Sequence, residues 1–103
     1  MTARLWSARA SRTNAPRYVR YFRESLLAHL RDLPGYTGAT LLERPDGEDV
    51  EILVITWWTS LDAIRGFAGA DLARAVVSDE ARALLVASDD EVRHYDVSLD
   101  EEA

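Results

Sequence analysis

His94 and Arg4 are the side chains of this sequence best suited to chemistry at neutral pH. Histidine titrates near neutrality and can take a proton from a phenol or hydroquinone. The resulting phenolate can pass one electron to O₂, whereas the neutral molecule cannot. His94 is therefore a candidate base; its plainer role is a last-strand residue bonded to a neighbouring carbonyl or carboxylate. Arg4 is a fixed cation early on the first strand. If buried, it requires an acidic partner, for which Asp96 and Glu43 are the candidates, or an anionic ligand such as an oxyanion.

Aromatic residues supply the rest of the candidate site. Trp6, Tyr21, Trp58 and Phe67 could form the apolar wall against which a flat aromatic molecule lies. Trp57 and Trp58 are adjacent on a strand and so face opposite sides, one toward the helices and one away from them. Tyr18, Tyr21 and His29 belong to the first helix, where Tyr21 borders the apolar stripe and His29 reads as an ordinary helix residue. The two histidines stand far apart with no H-x-H or H-x-x-E spacing, so no metal site is expected. Phosphate-loop and dinucleotide-binding glycine patterns are missing, and Ser7, Ser25 and Ser60 lack a nucleophile context. No cofactor is expected.

Composition narrows the class of protein. A chain of 103 residues is one domain in size, and 48% apolar residues suffice for a core. There is no cysteine, which removes disulfide and thiolate chemistry. A net charge of −6 argues against non-specific nucleic-acid binding and against anionic membranes. Charge is unevenly spread: Arg4, Arg9, Arg12, Arg17, Arg20, Arg23 and Arg31 crowd the first third, and the stretch from Asp89 to Glu102 is acidic. Such asymmetry can complement itself between two copies. No apolar run approaches the ~20 residues of a membrane span, and the first residues lack the apolar segment of a signal peptide. The expected location is cytoplasmic.

The elements that must position these side chains follow from periodicity. Residues 2–10 alternate as a strand without a cleanly polar face. Pro16 suits the first turn of a helix capped by Asn14 or Thr13. Val19, Phe22, Leu26, Leu30 and Leu33 then recur at helical spacing, until Pro34-Gly35 stops the helix. Tyr36–Arg44 and Val50–Trp58 read as two strands joined by a turn at Pro45-Asp46-Gly47, the second strand buried and central. Thr59 or Ser60 caps a second helix carrying Leu61, Ile64, Phe67 and Ala68, with a break near Gly69-Ala70. Asp71 can restart a turn through Val77, Asp79–Val86 is helical, and Glu91–Leu99 is the last strand. The order β-α-β-β-α-β is the ferredoxin-like α+β unit, a four-stranded antiparallel sheet with both helices on one face. Its other face also carries apolar residues, which predicts a partner, most simply a second copy. Residues 1–99 form a single domain and residues 100–103 an acidic tail.

Within this frame, Trp58-Thr59-Ser60-Leu61-Asp62-Ala63-Ile64 resembles the W-x-S-x-x-x-[IL] signature of the antibiotic biosynthesis monooxygenase superfamily. Ala3-Arg4-Leu5-Trp6, Pro34-Gly35-Tyr36-Thr37-Gly38, Phe67-Ala68-Gly69 and Val92-Arg93-His94-Tyr95 extend the resemblance over nearly the whole chain. The resemblance implies a dimeric α/β barrel with a pocket between sheet and helices in each subunit. Its members include cofactor-free oxygenases of aromatic molecules, haem-degrading enzymes and small-molecule isomerases. The haem-degrading branch carries an Asn on the first strand, a Trp on the second helix and a His beyond it. Counted from Trp58, the last two positions fall on Phe67 and near Val77, and the first strand contains no Asn. The leading expectation is a cofactor-independent monooxygenase-like protein acting on a small aromatic or quinol-like molecule. In that reading His94 is the base, Arg4 holds an oxyanion, and Trp6 and Phe67 form the wall. The alternatives are a non-catalytic dimeric module for a small ligand or protein, and a haem-binding relative.

Overall fold

Alternation along the first strand decides which side chains meet the helices. In the computed structural model, which describes residues 1–103, β1 runs Thr2–Ser11. Thr2, Arg4, Ala8 and Ala10 are buried, and Trp6 packs on the same helix-side core. Leu5, Ser7 and Arg9 point to the opposite face, as the two-residue period requires.

The first helix is α1 (Ala15–Tyr21), a π-helical turn (Phe22–Leu26) and α2 (Leu27–Leu30). Pro16 sits in its first turn as expected. Asn14 is the N-cap, but its side chain makes no cap bond; Ser11 Oγ instead accepts from the Asn14 N–H at 3.1 Å. The extra residue of the π turn rotates the helix relative to a uniform 3.6-residue period. The buried row is therefore Ala15, Tyr18, Phe22 and Leu30, and Val19, expected on the stripe, is only half-buried.

Gly35 reverses the chain with φ +85°, and its carbonyl accepts from the Thr59 N–H at 2.8 Å. β2 (Tyr36–Asp46) and β3 (Asp49–Trp58) form the hairpin. The turn falls one step later than its Pro-Asp-Gly signal suggests. Pro45 and Asp46 stay in the ladder opposite Val50 and Asp49, and Gly47, at φ +62°, makes the turn. Proline is tolerated there because β2 is an edge strand. β3 is central, paired with β1 and β2. Ile52, Val54, Thr56 and Trp58 are buried beneath the helices, and Glu51, Leu53, Ile55 and Trp57 are half-buried on the other face.

The second helical layer is short and broken. A 3₁₀ turn at Asp62–Ile64 leads into α3 (Arg65–Ala68), which ends at Gly69 with φ +77°. Asp71 restarts a single turn, in which the Arg74 N–H donates to the Asp71 carbonyl at 3.2 Å, and no helix follows from it. The segment instead runs extended against the chain after Asp89: Val92 N–H donates to the Ala73 carbonyl at 2.7 Å, and Ala75 N–H to the Asp90 carbonyl at 2.8 Å. α4 (Asp79–Leu84) follows, capped by Ser78, whose Oγ accepts from the Ala81 N–H at 3.1 Å.

The last strand is shorter than its sequence pattern and is split into β4 (Ala87–Ser88) and β5 (Arg93–Asp96), both paired with β1. The chain bulges between them around Trp6, whose indole N–H donates to the Asp89 carbonyl at 3.0 Å. The antiparallel sheet has the order β2-β3-β1-β4, with β5 also on β1. The fold is ferredoxin-like α+β. No helix is long and apolar enough to cross a membrane.

Candidate functional site

β1, β3 and β5 bring their helix-side residues under the first helix, and there the sheet and helices do not meet completely. An apolar cavity of about 40 Å³ remains. Trp6 and Val54 form its floor, Tyr18, Tyr21 and Leu26 its helix wall, and Phe67, Val76 and Val77 its far side. Trp6 and Tyr18 stack obliquely with ring centroids 6.1 Å apart, and Tyr18 meets Tyr21 at 5.8 Å. Burial raises the Tyr18 hydroxyl pKa, and proximity to Tyr21 adds to the rise. This volume of about 40 Å³ holds roughly three or four waters at most, given ~10–15 Å³ for one.

Arg4 closes one end of the cavity. Only 4% exposed, it meets no carboxylate; neither Asp96 nor Glu43 is its partner. Its Nη1 donates to the Leu72 carbonyl at 2.7 Å and to His94 Nε2 at 3.0 Å, and its Nη2 to the Arg74 carbonyl at 2.9 Å. The guanidinium also lies 5.7 Å from the centre of the Phe67 ring. Carbonyl dipoles and an aromatic face thus offset the cost of a buried cation. Burial lowers its pKa from 12.5 to about 10, which keeps it charged at neutral pH. These three bonds leave two of the five guanidinium N–H groups, on Nε and Nη2, without a protein partner.

His94 lies opposite Arg4 in the β1–β5 register. It is not on the cavity wall, being separated from it by Arg4. Because Arg4 has no lone pair to offer, the contact requires His94 Nε2 to be unprotonated. Burial, and then the Arg4 charge, push the His94 pKa below its usual 6.5.

Of the other sequence candidates, Trp6, Tyr21 and Phe67 line the cavity. Trp58 lies beneath it, completely buried with Leu30 and Ile64, its indole N–H donating to Thr56 Oγ1 at 2.9 Å. Trp58 faces the helices and Trp57 the bare face, so the pair divides between the two sides. Tyr18, Val76 and Val77 belong to the cavity but carry no motif. Ala15, Tyr18 and Phe22, at steps of 3 and 4, were the available signal for Tyr18. Nothing in the sequence marks Val76 and Val77, because an irregular segment delivers them.

Outside the cavity, sharing Tyr21, Leu26, Phe67 and Val76 with it, lies a vestibule of about 280 Å³. Ser25, His29, Ser78 and Glu80 make its rim polar. Tyr21 Oη and Ser78 Oγ lie 2.8 Å apart, a hydrogen bond from helix to strap across the boundary between the two spaces. No cluster of three or more metal-ligating side chains exists.

No family model and no curated protein matches the sequence. Solved structures do match. An arginine-to-serine variant of MhuD, with two manganese protoporphyrin IX groups per active site, superposes with a TM-score of 0.72 and 21% identity, over 100% of both chains. The haem degrader MhuD from Mycobacterium tuberculosis, with two haems in its active site, gives 0.65 and 21%, covering 99% of this chain and 100% of that one. A Bacillus cereus protein assigned by name to the antibiotic biosynthesis monooxygenases gives 0.61 and 17%, covering 99% and 94%. The chain has the antibiotic biosynthesis monooxygenase fold. In this fold the porphyrin-bound structures raise the question of haem, and the residues here do not fit it. A ligand of drug size or larger needs some 300–1,000 Å³; the inner cavity has about 40 Å³ and no His, Cys or Met on its wall, and His29, the one histidine of the outer vestibule, is exposed at its rim.

Proposed function

We propose that this protein binds a small hydroxylated aromatic molecule between its sheet and its helices and oxygenates it without a cofactor. The observation that carries the reading is the aromatic-walled cavity ending in the Arg4 guanidinium, which keeps two N–H groups without a protein partner. A developing phenolate directed at that end meets a preorganised cation in a water-poor site, where charge stabilisation is strongest. Trp6, Tyr21 and Phe67 supply the flat apolar contacts, and Trp58 supports them from below. In this reading His94 holds Arg4 in place rather than taking the substrate's proton. Its Nε2 is engaged, and protonation would set a second positive charge against the guanidinium. The ring must enter through the vestibule, since the inner space admits a substituent and not a ring system.

The same small volume favours a second reading, in which the protein is a non-catalytic dimeric module whose pocket is filled by its own side chains. Oxygen consumption with 1,4-dihydroxynaphthalene separates the two. The oxygenase consumes O₂ faster than the spontaneous reaction, and Arg4→Gln removes the excess. A rate equal to the buffer control refutes the oxygenase reading.

The protein also acts as a homodimer in this proposal. The sheet face away from the helices carries Leu5, Leu53, Ile55 and Trp57 in adjoining rows, with Leu42 47% and Tyr95 49% exposed beside them. An uncovered apolar sheet face supports pairing with a second copy.

A further inference from the structure

We propose that the vestibule is the site where the ring of a dihydroxylated substrate binds, one oxygen directed inward at Arg4, and that His29 is the residue that takes the proton of the outer hydroxyl. The inference rests on the reading that the substrate is a hydroxylated aromatic molecule; it adds where that molecule sits and what deprotonates it.

Size is the first argument. The inner cavity is about 40 Å³ and the vestibule about 280 Å³, and they share the side chains of Tyr21, Leu26, Phe67 and Val76. A ring of one or two cycles fits the outer space, with an edge or substituent reaching inward past Tyr21. Phe67 belongs to both spaces and gives the ring a continuous apolar surface.

The second argument is chemical. A phenol needs a proton acceptor at its oxygen, and the inner cavity offers none. His94 is spent on Arg4. His29 stands on α2 at the vestibule, its ring 6.1 Å from that of Phe67, exposed and without a hydrogen bond or ion pair. The other titratable groups facing it across the vestibule are Glu80, from α4, and Tyr21, from α1. The Tyr21 hydroxyl is held by Ser78. In the proposed step the substrate O–H bond breaks, its proton passes to the unprotonated imidazole nitrogen, and the electron pair remains on the oxygen as phenolate. Tyr21, Ser25 and His29 follow one another at steps of four along the first helix and so share one rim.

The test uses two probes on the full chain. 2-Naphthol, titrated into protein with ¹⁵N-labelled histidine, is expected to shift the His29 ring resonances saturably and leave those of His94 in place. With 1,4-dihydroxynaphthalene and O₂, His29→Ala is expected to lower kcat by about 10²-fold with KM little changed, and added imidazole to restore part of the rate. The His29 side chain makes no hydrogen bond and its backbone bond to Asp32 survives substitution, so the variant keeps its fold; its thermal midpoint checks this. Naphthol shifts at His94 without shifts at His29 overturn the proposal, as does wild-type kcat in a folded His29→Ala. If the wild type oxidises nothing, the oxygenase reading fails, and the naphthol titration alone decides this one: saturable shifts at His29 support the site, and their absence overturns it.

Discussion

Arg4 Nη1 lies 3.0 Å from His94 Nε2, and the two residues face each other directly in the β1–β5 register. Strand pairing therefore brings together two residues ninety positions apart in sequence. It also defines their states: a charged guanidinium donating to a neutral imidazole.

This pairing makes stability depend on pH with a definite sign. The His94 pKa is lowered in the folded protein, first by burial and then by Arg4, from an ordinary 6.5. The unfolded chain therefore binds the proton more readily than the folded one. The stability linked to neutral His94 is complete above pH 6.5 and is lost as pH falls through the lower, folded value. Urea midpoints of the wild type and His94→Gln, compared between pH 7.5 and 5, are expected to show the wild type falling relative to the variant on acidification. Gln keeps an acceptor for Arg4 but does not titrate. A constant gap across that range would remove His94 as the source.

Arg4 also fastens the strap between Gly69 and Ser78 to the sheet, through the carbonyls of Leu72 and Arg74. Arg4→Met keeps much of the side chain's length but deprives both carbonyls of their donor. A cost of ~3 kcal/mol is expected, since hydrogen bonds to charged groups contribute ~1.5–3 kcal/mol each. Amide exchange should quicken selectively at Ala75 and Val92, which bond the strap to the last strand. Unchanged exchange at those two amides would contradict the fastening role.

Gly35 admits no side chain. A Cβ there would lie 2.5 Å from Ala63 Cβ and 2.8 Å from Thr59 Oγ1, on a backbone at φ +85°. Gly35→Ala combines a left-handed conformation with overpacking and is expected to cost ~3 kcal/mol. Its thermal midpoint should fall by more than that of Gly47→Ala, which has a positive φ but open space around it.

Ile55 stands in the middle of the bare sheet face, between Leu5 on β1 and Thr40 on β2. Ile55→Arg puts a charge there without touching the helix-side core. Sedimentation is expected to show a dimer for the wild type and a monomer for the variant, with far-UV circular dichroism preserved. A wild type that sediments as a monomer would rule out the pairing.

Much of this fold was legible in the sequence because its strong signals are local. The period-two run of Val50–Trp58 and the Gly69 break each depend on neighbours a few residues away and stand where the pattern put them, whereas the first helix ends at Leu30, before the Pro34-Gly35 stop. The misplaced features share a different cause. Tyr18 replaces Val19 in the core because a π turn breaks the helical period. The last strand divides around Asp89, whose N–H still donates to the Ser7 carbonyl while its carbonyl accepts from the Trp6 indole. Ala15, Tyr18 and Phe22 offer a local row for Tyr18, but nothing local announces the π turn or the division of the last strand.

The candidate site divides in the same way. Residue type alone singled out Arg4, Trp6, Tyr21, Phe67 and His94, and the alternation of Trp57 with Trp58 follows from strand geometry alone. Only the tertiary structure shows that Arg4 is partnered by two carbonyls and an imidazole instead of a carboxylate. It alone places His94 behind Arg4 and His29 at the vestibule. The physical reason is range. Periodicity reports which face of an element is buried, whereas the partner of a buried charge is set by strand register and by an irregular strap, across 68 to 90 residues of chain.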